Sequence, residues 1–359
     1  MLIKNEAEHL ERSLPKWAKI IDYWIIGVDD QNTDSSPEII QKYLGHIPGE
    51  IVIVEFDGMG PTWTKLVEVG IEKYPEATHG IIADADFMPL HDTLDKWQLD
   101  IRCSKHMFTI WTEDLQNSRR MDWIYRNIPG AQVKRRVHQA VEVPELPNQE
   151  VFQTLIDLNV KEHTGGYQDR TEGKMLRYIK WLEKDLEEMP GDGRTLYYLG
   201  YSHFDIFLNN RHNPSEKHWD HLRQSVIWYK KRVAITEGYY EERWFAILKL
   251  AEIFERFYNN WPEALKYYEM CVESDPERAD PLFYIGQHYR LHGQPEKALE
   301  PLARASKLSI PERSLFNWHF LYQCIVSRLF SSFHLSVAGR LNWNMPERFM
   351  QFKILLSRA

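Results

Sequence analysis

His79-Gly-Ile-Ile-Ala-Asp-Ala-Asp-Phe-Met-Pro89 is the stretch on which the reading of this 359-residue sequence turns. An apolar run ends in two carboxylates, Asp84 and Asp86, one residue apart. Residues i and i+2 of a strand point to the same side, so a buried strand here would aim both acids into one crevice. Hard oxygen ligands of that kind suit Mg²⁺ or Mn²⁺. A metal held by two carboxylates keeps open positions, which substrate phosphates usually fill. The competing reading makes Asp84 and Asp86 plain turn residues between a strand and Pro89, and the motif by itself leaves both open.

Working outward, the flanking sequence alternates strands with helices. Leu2-Ile3 begins a short strand, and the apolar spacing of Leu10, Leu14, Trp17 and Ile20-Ile21 predicts a helix. Tyr23-Trp-Ile-Ile-Gly-Val28 is β-rich and stops at the polar cluster Asp29-Asp30-Gln-Asn-Thr-Asp34. Ser35-Ser36-Pro37-Glu38 is a helix start. Glu50-Ile-Val-Ile-Val-Glu-Phe56 leads through Asp57-Gly-Met-Gly-Pro61 into a helix from about Thr62 to Lys73. This order predicts an α/β fold with a mainly parallel sheet and helices on both faces. Ligands bind beyond the carboxyl ends of such strands, and Asp29, Asp34, Asp57, Asp84 and Asp86 would share that rim. A shared rim favours the metal-and-phosphate reading over chance loop composition.

Met1-Leu-Ile-Lys-Asn-Glu6, Val28-Asp-Asp-Gln-Asn-Thr-Asp34 and Ile82-Ala-Asp-Ala-Asp86 together resemble, in order and spacing, the landmarks of family 2 glycosyltransferases with the GT-A fold. The resemblance covers residues 1–170. It implies a nucleotide-sugar site formed by Lys4, Asn5, Glu6, Asp29, Asp34, Lys65, Asp84 and Ala85, with Asp29 near the base, Asp34 supporting its loop and Asp84 toward the ribose. It implies Mn²⁺ or Mg²⁺ on Asp86 within a DXD motif, with His163 of His163-Thr-Gly-Gly returning as a further ligand and His138 as its runner-up. Gln31 and Asn32 depart from the family's usual glycine and serine, Lys4 stands where many members carry an aromatic, and Gln139 replaces the glutamate of a His-Glu pair. The expected catalytic base is Asp114, with Glu113 second. Both follow the apolar strand Phe108-Thr-Ile-Trp111, and both are also ordinary loop or cap residues. Lys134, Arg135 and Arg136, on an extended segment, read either as diphosphate contacts or as a charged edge that discourages aggregation.

Beyond residue 170 the pattern changes. Residues 171–192 read as a connecting helix and linker ending at Pro190-Gly-Asp-Gly193. Over residues 193–313 a 34-residue period sets Ala264, Tyr268 and Cys271 against Ala298, Leu302 and Ala305, with Leu282, Ile285-Gly286 and Tyr289 at first-helix spacing. This resembles tetratricopeptide repeats, whose helix pairs stack through small residues. An earlier copy spans Leu196 to Glu237 with an insertion around Asn209–Trp219. Residues 314–359 read as capping helices and tail.

Composition narrows the field. A net charge of −8 gives no basic field for gripping nucleic acid. Cys103, Cys271 and Cys324 form no C-x-x-C pair, so reduced thiols and a cytoplasmic location are expected. Neither a signal peptide nor a transmembrane run is seen. Two functions follow as expectations. The first is a metal-dependent inverting glycosyltransferase, with a nucleotide-sugar donor, a peptide, glycan or lipid acceptor and helical repeats that present the acceptor or a protein partner. The second is a tetratricopeptide-type interaction scaffold whose GT-A domain is degenerate and non-catalytic. A nucleotidyltransferase would use similar acids but release pyrophosphate.

Overall fold

The structure, a computed structural model, describes residues 1–93, 98–115, 118–149, 153–162 and 172–309. The chain divides into two compact units, Met1–Glu188 and a second from Met189 onward.

The first unit opens with β1 (Leu2–Ile3), α1 (Ala7–Trp17), β2 (Trp24–Asp29), α2 (Ser36–Leu44), β3 (Gly49–Val54) and α3 (Met59–Lys73). Helix α1 buries Leu10, Leu14 and Trp17, one stripe at helical spacing. Pro37 in the first turn of α2 sets its start. Strand β2 is buried along nearly its whole length, and Gly27 allows close approach of α3, since a Cβ there would lie 2.8 Å from Leu66 Cδ1. These three strands form one parallel sheet, β1-β2-β3.

The remaining strands correct the single mainly parallel sheet that the sequence suggests. β4 (His79–Ile81), β5 (Phe87–Pro89), β6 (Lys105–Trp111), β7 (Ser118–Arg126) and β10 (Gln153–Glu162) build a separate five-stranded sheet in the order β4-β7-β6-β10-β5. Only β6 and β10 run parallel; β4–β7, β6–β7 and β10–β5 are antiparallel. β8 (Gln132–Lys134) and β9 (Ala140–Glu142) form a small antiparallel ribbon. The opening stretch is therefore not one strand. It leaves β4 at one edge, turns through Ala85 and Asp86, and re-enters as β5 at the opposite edge. Trp63, Phe87, Phe108 and Trp123 share one core, while Ile3, Leu10, Ile26 and Ile40 share another. Helix α4 (Glu172–Glu188) closes this unit.

The second unit is helical: α5 (Gly193–Asn210), α6 (Glu216–Ala234), α7 (Tyr240–Arg256), α8 (Trp261–Ser274), α9 (Ala279–Leu291) and α10 (Pro295–Ala305). The expected Pro-Gly-Asp-Gly linker becomes a cap. Gly191 takes φ +83°, and Asp192 accepts from Thr195 N at 2.8 Å and Thr195 Oγ1 at 2.6 Å. Asn260 caps α8 in the same manner, accepting from Glu263 N. The helices pack in successive pairs, and the 34-residue spacing falls on equivalent sites: Ala264 with Ala298, and Cys271 with Ala305, are all fully buried. Gly200 and Gly286 bring paired helices together, since a Cβ would stand 2.6 Å from Tyr229 and 2.4 Å from Leu302. The insertion expected near Asn209–Trp219 covers the last residues of α5, the short connection 211–215 and the start of α6. One apolar core runs through these pairs, from Tyr197 and Phe204 to Leu302 and Ala305.

Candidate functional site

Of the acids expected on one rim, Asp57 lies apart, paired with Lys184 and Arg136. Asp29 and Asp34 lie where β2 ends, against the β1–α1 turn. Asp34 accepts from Ala7 N at 2.9 Å and from Ser36 N at 3.0 Å, so each carboxylate oxygen secures the start of one helix. Partial burial works against its charge, but the Ser36 hydroxyl and these amides outweigh it and hold the carboxyl below the usual range. Asn5, at φ 55°, stitches the same loops: its N–H donates to Asn32 Oδ1 at 2.7 Å, and its Oδ1 accepts from Thr33 N at 2.8 Å. Lys4 Nζ reaches Gln31 Oε1 at 3.0 Å and Asp29 Oδ1 at 3.3 Å. Gln31 and Asn32, which depart from the family pattern, are thus the residues that bind this loop to the β1–α1 turn.

Glu6 and Asp86 come close enough to interact. Burial raises the Glu6 carboxyl, His9 opposes it, and Asp86 and Asp34 raise it further. The structure accordingly gathers Lys4, Asn5, Glu6, Asp29, Asp34 and Asp86 at one end of the first unit. Asp84 and Asp86 are half-buried and Ala85 is buried. Phe87 N donates to Asp84 O at 3.1 Å across the turn. The i, i+2 strand geometry behind the DXD reading is absent, because a turn and not a strand carries both acids. Mn²⁺ or Mg²⁺ loses that geometric support, and among the described residues no group of three His, Cys, Asp or Glu side chains is arranged to hold a metal. His163 lies outside the described residues.

The other expected residues stand apart. Glu113 and Asp114 are exposed in the connection between β6 and β7, where Thr112 Oγ1 donates to Asp114 Oδ1 at 2.6 Å. Lys65 lies on α3, and His138 sits in the loop between β8 and β9 at φ 52°. The basic cluster is structural. Lys134 pairs with Glu142 across the ribbon at 2.6 Å. Arg136, 3% exposed, donates to Asp185 Oδ1 at 2.7 Å and to both oxygens of Glu188 at 2.7 and 2.8 Å. Asp57, expected on the ligand rim, instead pairs with Lys184 at 3.0 Å and with Arg136 at 3.5 Å. Gly58, at φ +88°, admits Arg136, whose Cβ would stand 2.5 Å from a glycine-borne Cβ.

In the second unit, the first helices of the pairs carry half-buried polar and aromatic groups that composition did not single out: Tyr198 and Tyr201 on α5, Lys249 and Glu252 on α7, Gln287 and Arg290 on α9. Arg194 on α5 pairs with Glu242 on α7 at 3.1 Å, and Lys249 Nζ lies 5.7 Å from the Phe204 ring centroid. Glu252 bonds both Lys249 and Arg256. Their only sequence signal was the first-helix position in each repeat.

No protein-family model matches the chain, and no curated protein matches it. Among similar solved structures is a human IFIT1 dimer with PPP-AAAA, at 16% identity and a TM-score of 0.37, covering 47% of this chain and 37% of that one. A MamA structure shows 18% identity and a TM-score of 0.31 over 50% of this chain and 93% of its own. YrrB, described as a TPR protein with an unusual peptide-binding site, shows 21% identity and a TM-score of 0.21 over 40% of this chain and 81% of its own. The chain thus spans little more than a third of the IFIT1 chain. Scores this low leave the helix pairing to rest on this chain's own packing. The expected glycosyltransferase family with its GT-A fold is overturned by the sheets, which are divided and mixed where that fold requires one mainly parallel sheet. Among the described residues no helix is long and apolar enough to cross a membrane.

Proposed function

We propose that this chain is a protein-interaction scaffold whose second unit holds a segment of a protein partner along the first helices of its pairs. The observation that supports this is the repeated helix pair itself. Gly200 against Tyr229 and Gly286 against Leu302 set the close packing of the α5–α6 and α9–α10 pairs, and stacked pairs of this kind build extended binding surfaces. Tyr198, Tyr201, Lys249, Glu252, Gln287 and Arg290 supply that surface with aromatic area and both signs of charge, a mixture suited to a polar peptide with apolar anchors.

A photo-crosslinking residue at Tyr201 is expected to capture a protein partner, whereas the same group at Ile227, exposed on α6, is expected to capture none. Lys249→Glu is expected to abolish the Tyr201 adduct by reversing charge on that face. Equal labelling from Tyr201 and Ile227, or adducts indifferent to Lys249→Glu, would remove the first-helix face as the binding surface.

A further inference from the structure

Three adjacent strands of the five-stranded sheet, β4, β7 and β6, each bring one basic side chain to the same end of the same face. His79 of β4 lies directly opposite Arg126 of β7. His106 of β6 lies opposite Ile124, two residues before Arg126. Residues paired across antiparallel strands share a face, as do residues i and i+2 of one strand, so His79, Arg126 and His106 project together. The two imidazole rings stand 5.1 Å apart, centroid to centroid. His106 is fully buried, while His79 and Arg126 are half-buried and Thr78 beside them is exposed. His106 therefore forms the floor of a cluster whose rim meets solvent.

Four nitrogens of the cluster, His79 Nε2, both ring nitrogens of His106 and Arg126 Nε, are buried without a hydrogen-bond partner. Buried polar atoms are ordinarily paired. The bonds that are made hold the groups in place and leave these atoms over: Thr78 Oγ1 lies 3.0 Å from His79 Nδ1, and Arg126 Nη1 donates to Thr78 O at 2.8 Å. With the Thr78 hydroxyl donating to Nδ1, His79 carries its proton on Nε2 and presents it as a donor. Asp100 is the acid that acts on both imidazoles, and its main chain draws on them too, but without the geometry of a hydrogen bond. Its carboxylate is already taken by Arg102, whose Nε and Nη2 donate at 3.1 and 2.7 Å. Lys105, on the opposite face, is provided for by Asp122 at 2.6 Å and Val141 O at 3.2 Å. Burial first, then repulsion from His106 and Arg126, push His79 down to about 3. Arg126 is lowered by burial, with no opposing acid among the described residues.

We infer that His79, His106 and Arg126 form a binding site for a phosphate group, with His79 Nε2–H, a ring N–H of His106 and Arg126 Nε–H donating to its oxygens. A phosphate brings negative charge to a desolvated guanidinium that has no acid beside it. Its terminal oxygens also point in several directions, which suits donors arriving from three strands better than the two coplanar oxygens of a carboxylate. The bound charge favours the protonated imidazoles, so both histidines titrate at higher pH when the site is filled. Free phosphate and a phosphate monoester share this chemistry. The inference does not depend on what the second unit binds.

The test titrates the full chain with inorganic phosphate and, separately, with phenyl phosphate, while NMR follows the imidazole resonances of His79 and His106. Saturable movement of both sets of resonances is expected, with both titration midpoints shifted upward in the bound state. Tighter binding of phenyl phosphate would assign the site to a phosphorylated organic molecule, and tighter binding of inorganic phosphate to the free ion. Arg126→Gln is expected to weaken binding at least tenfold, because it removes the charge that pairs with the anion. His79→Leu, at the half-buried rim, is a second variant with the same expected loss, and each is compared with the parent chain by its Tm. Resonances unmoved by millimolar phosphate, equal movement with acetate, or undiminished binding by either folded variant would overturn the site.

Discussion

His203 and His221 meet with their Nδ1 atoms 2.8 Å apart, and one N–H can lie between two such nitrogens only when at least one of them is unprotonated. Burial first, and the neighbouring His221 second, lower His203 to about 4. An unfolded histidine titrates near ~6.5, so between these values the unfolded chain binds the proton more readily. The stability contributed by neutral His203 is therefore complete above pH ~6.5 and is lost as pH falls toward about 4. The Tm of the second unit is expected to decline between pH 7 and pH 4.5, and His203→Gln should flatten that decline. An unchanged slope in His203→Gln would locate the pH dependence elsewhere. The same contrast between residue type and residue partner runs through the first unit. Asp29 and Asp34 were legible as acids closing a β-rich run. That Asp34 spends both oxygens on Ala7 and Ser36 was not, because those partners depend on how two loops meet in space.

At the scale of elements, Arg136 joins the β8–β9 ribbon to α4. Its guanidinium is held charged by Glu188, against burial, with Asp185 as the second partner. Removing one partner of a buried pair strands the other charge, a loss of about 3–5 kcal/mol, and Asp185 is only 1% exposed. Arg136→Met is expected to destabilise the first unit by that amount in chemical denaturation, and adding Asp185→Leu should recover most of the loss. A neutral Arg136→Met would show that the ribbon is held by its apolar contacts, chiefly Val133 and Val141. Sequence pattern marked Lys134-Arg135-Arg136 as a basic run but could not assign it, since the acids that claim Arg136 lie about fifty positions later. The opening stretch failed for a related reason. Apolar periodicity reports which face of a strand is buried, not which strand lies beside it. Nothing in Ile81-Ile82-Ala83 discloses that β4 and β5 end at opposite edges of one sheet. The helix pairs were more legible, because a 34-residue period repeats local packing: Ala264 and Ala298 are both fully buried in the same core.

For the molecule as a whole, each unit owns its core. Leu10 is fully buried in the first unit with Ile26 and Ile40, and Leu250 is fully buried in the second with Trp244 and Tyr268. Cores built from separate stretches of chain can melt separately, since the cooperative unit is the set of residues that share burial. Truncating a buried leucine to alanine removes transfer energy and leaves a cavity, at about 2–5 kcal/mol. Calorimetry of the full chain is expected to resolve two transitions, with Leu10→Ala lowering one and Leu250→Ala lowering the other. Mutations in different cooperative units should then add, so the double variant is expected to show both shifts unchanged in size. If either substitution moves both transitions together, the two cores unfold as one, and a ligand bound by the helical unit would then stabilise the sheets of the first unit as well.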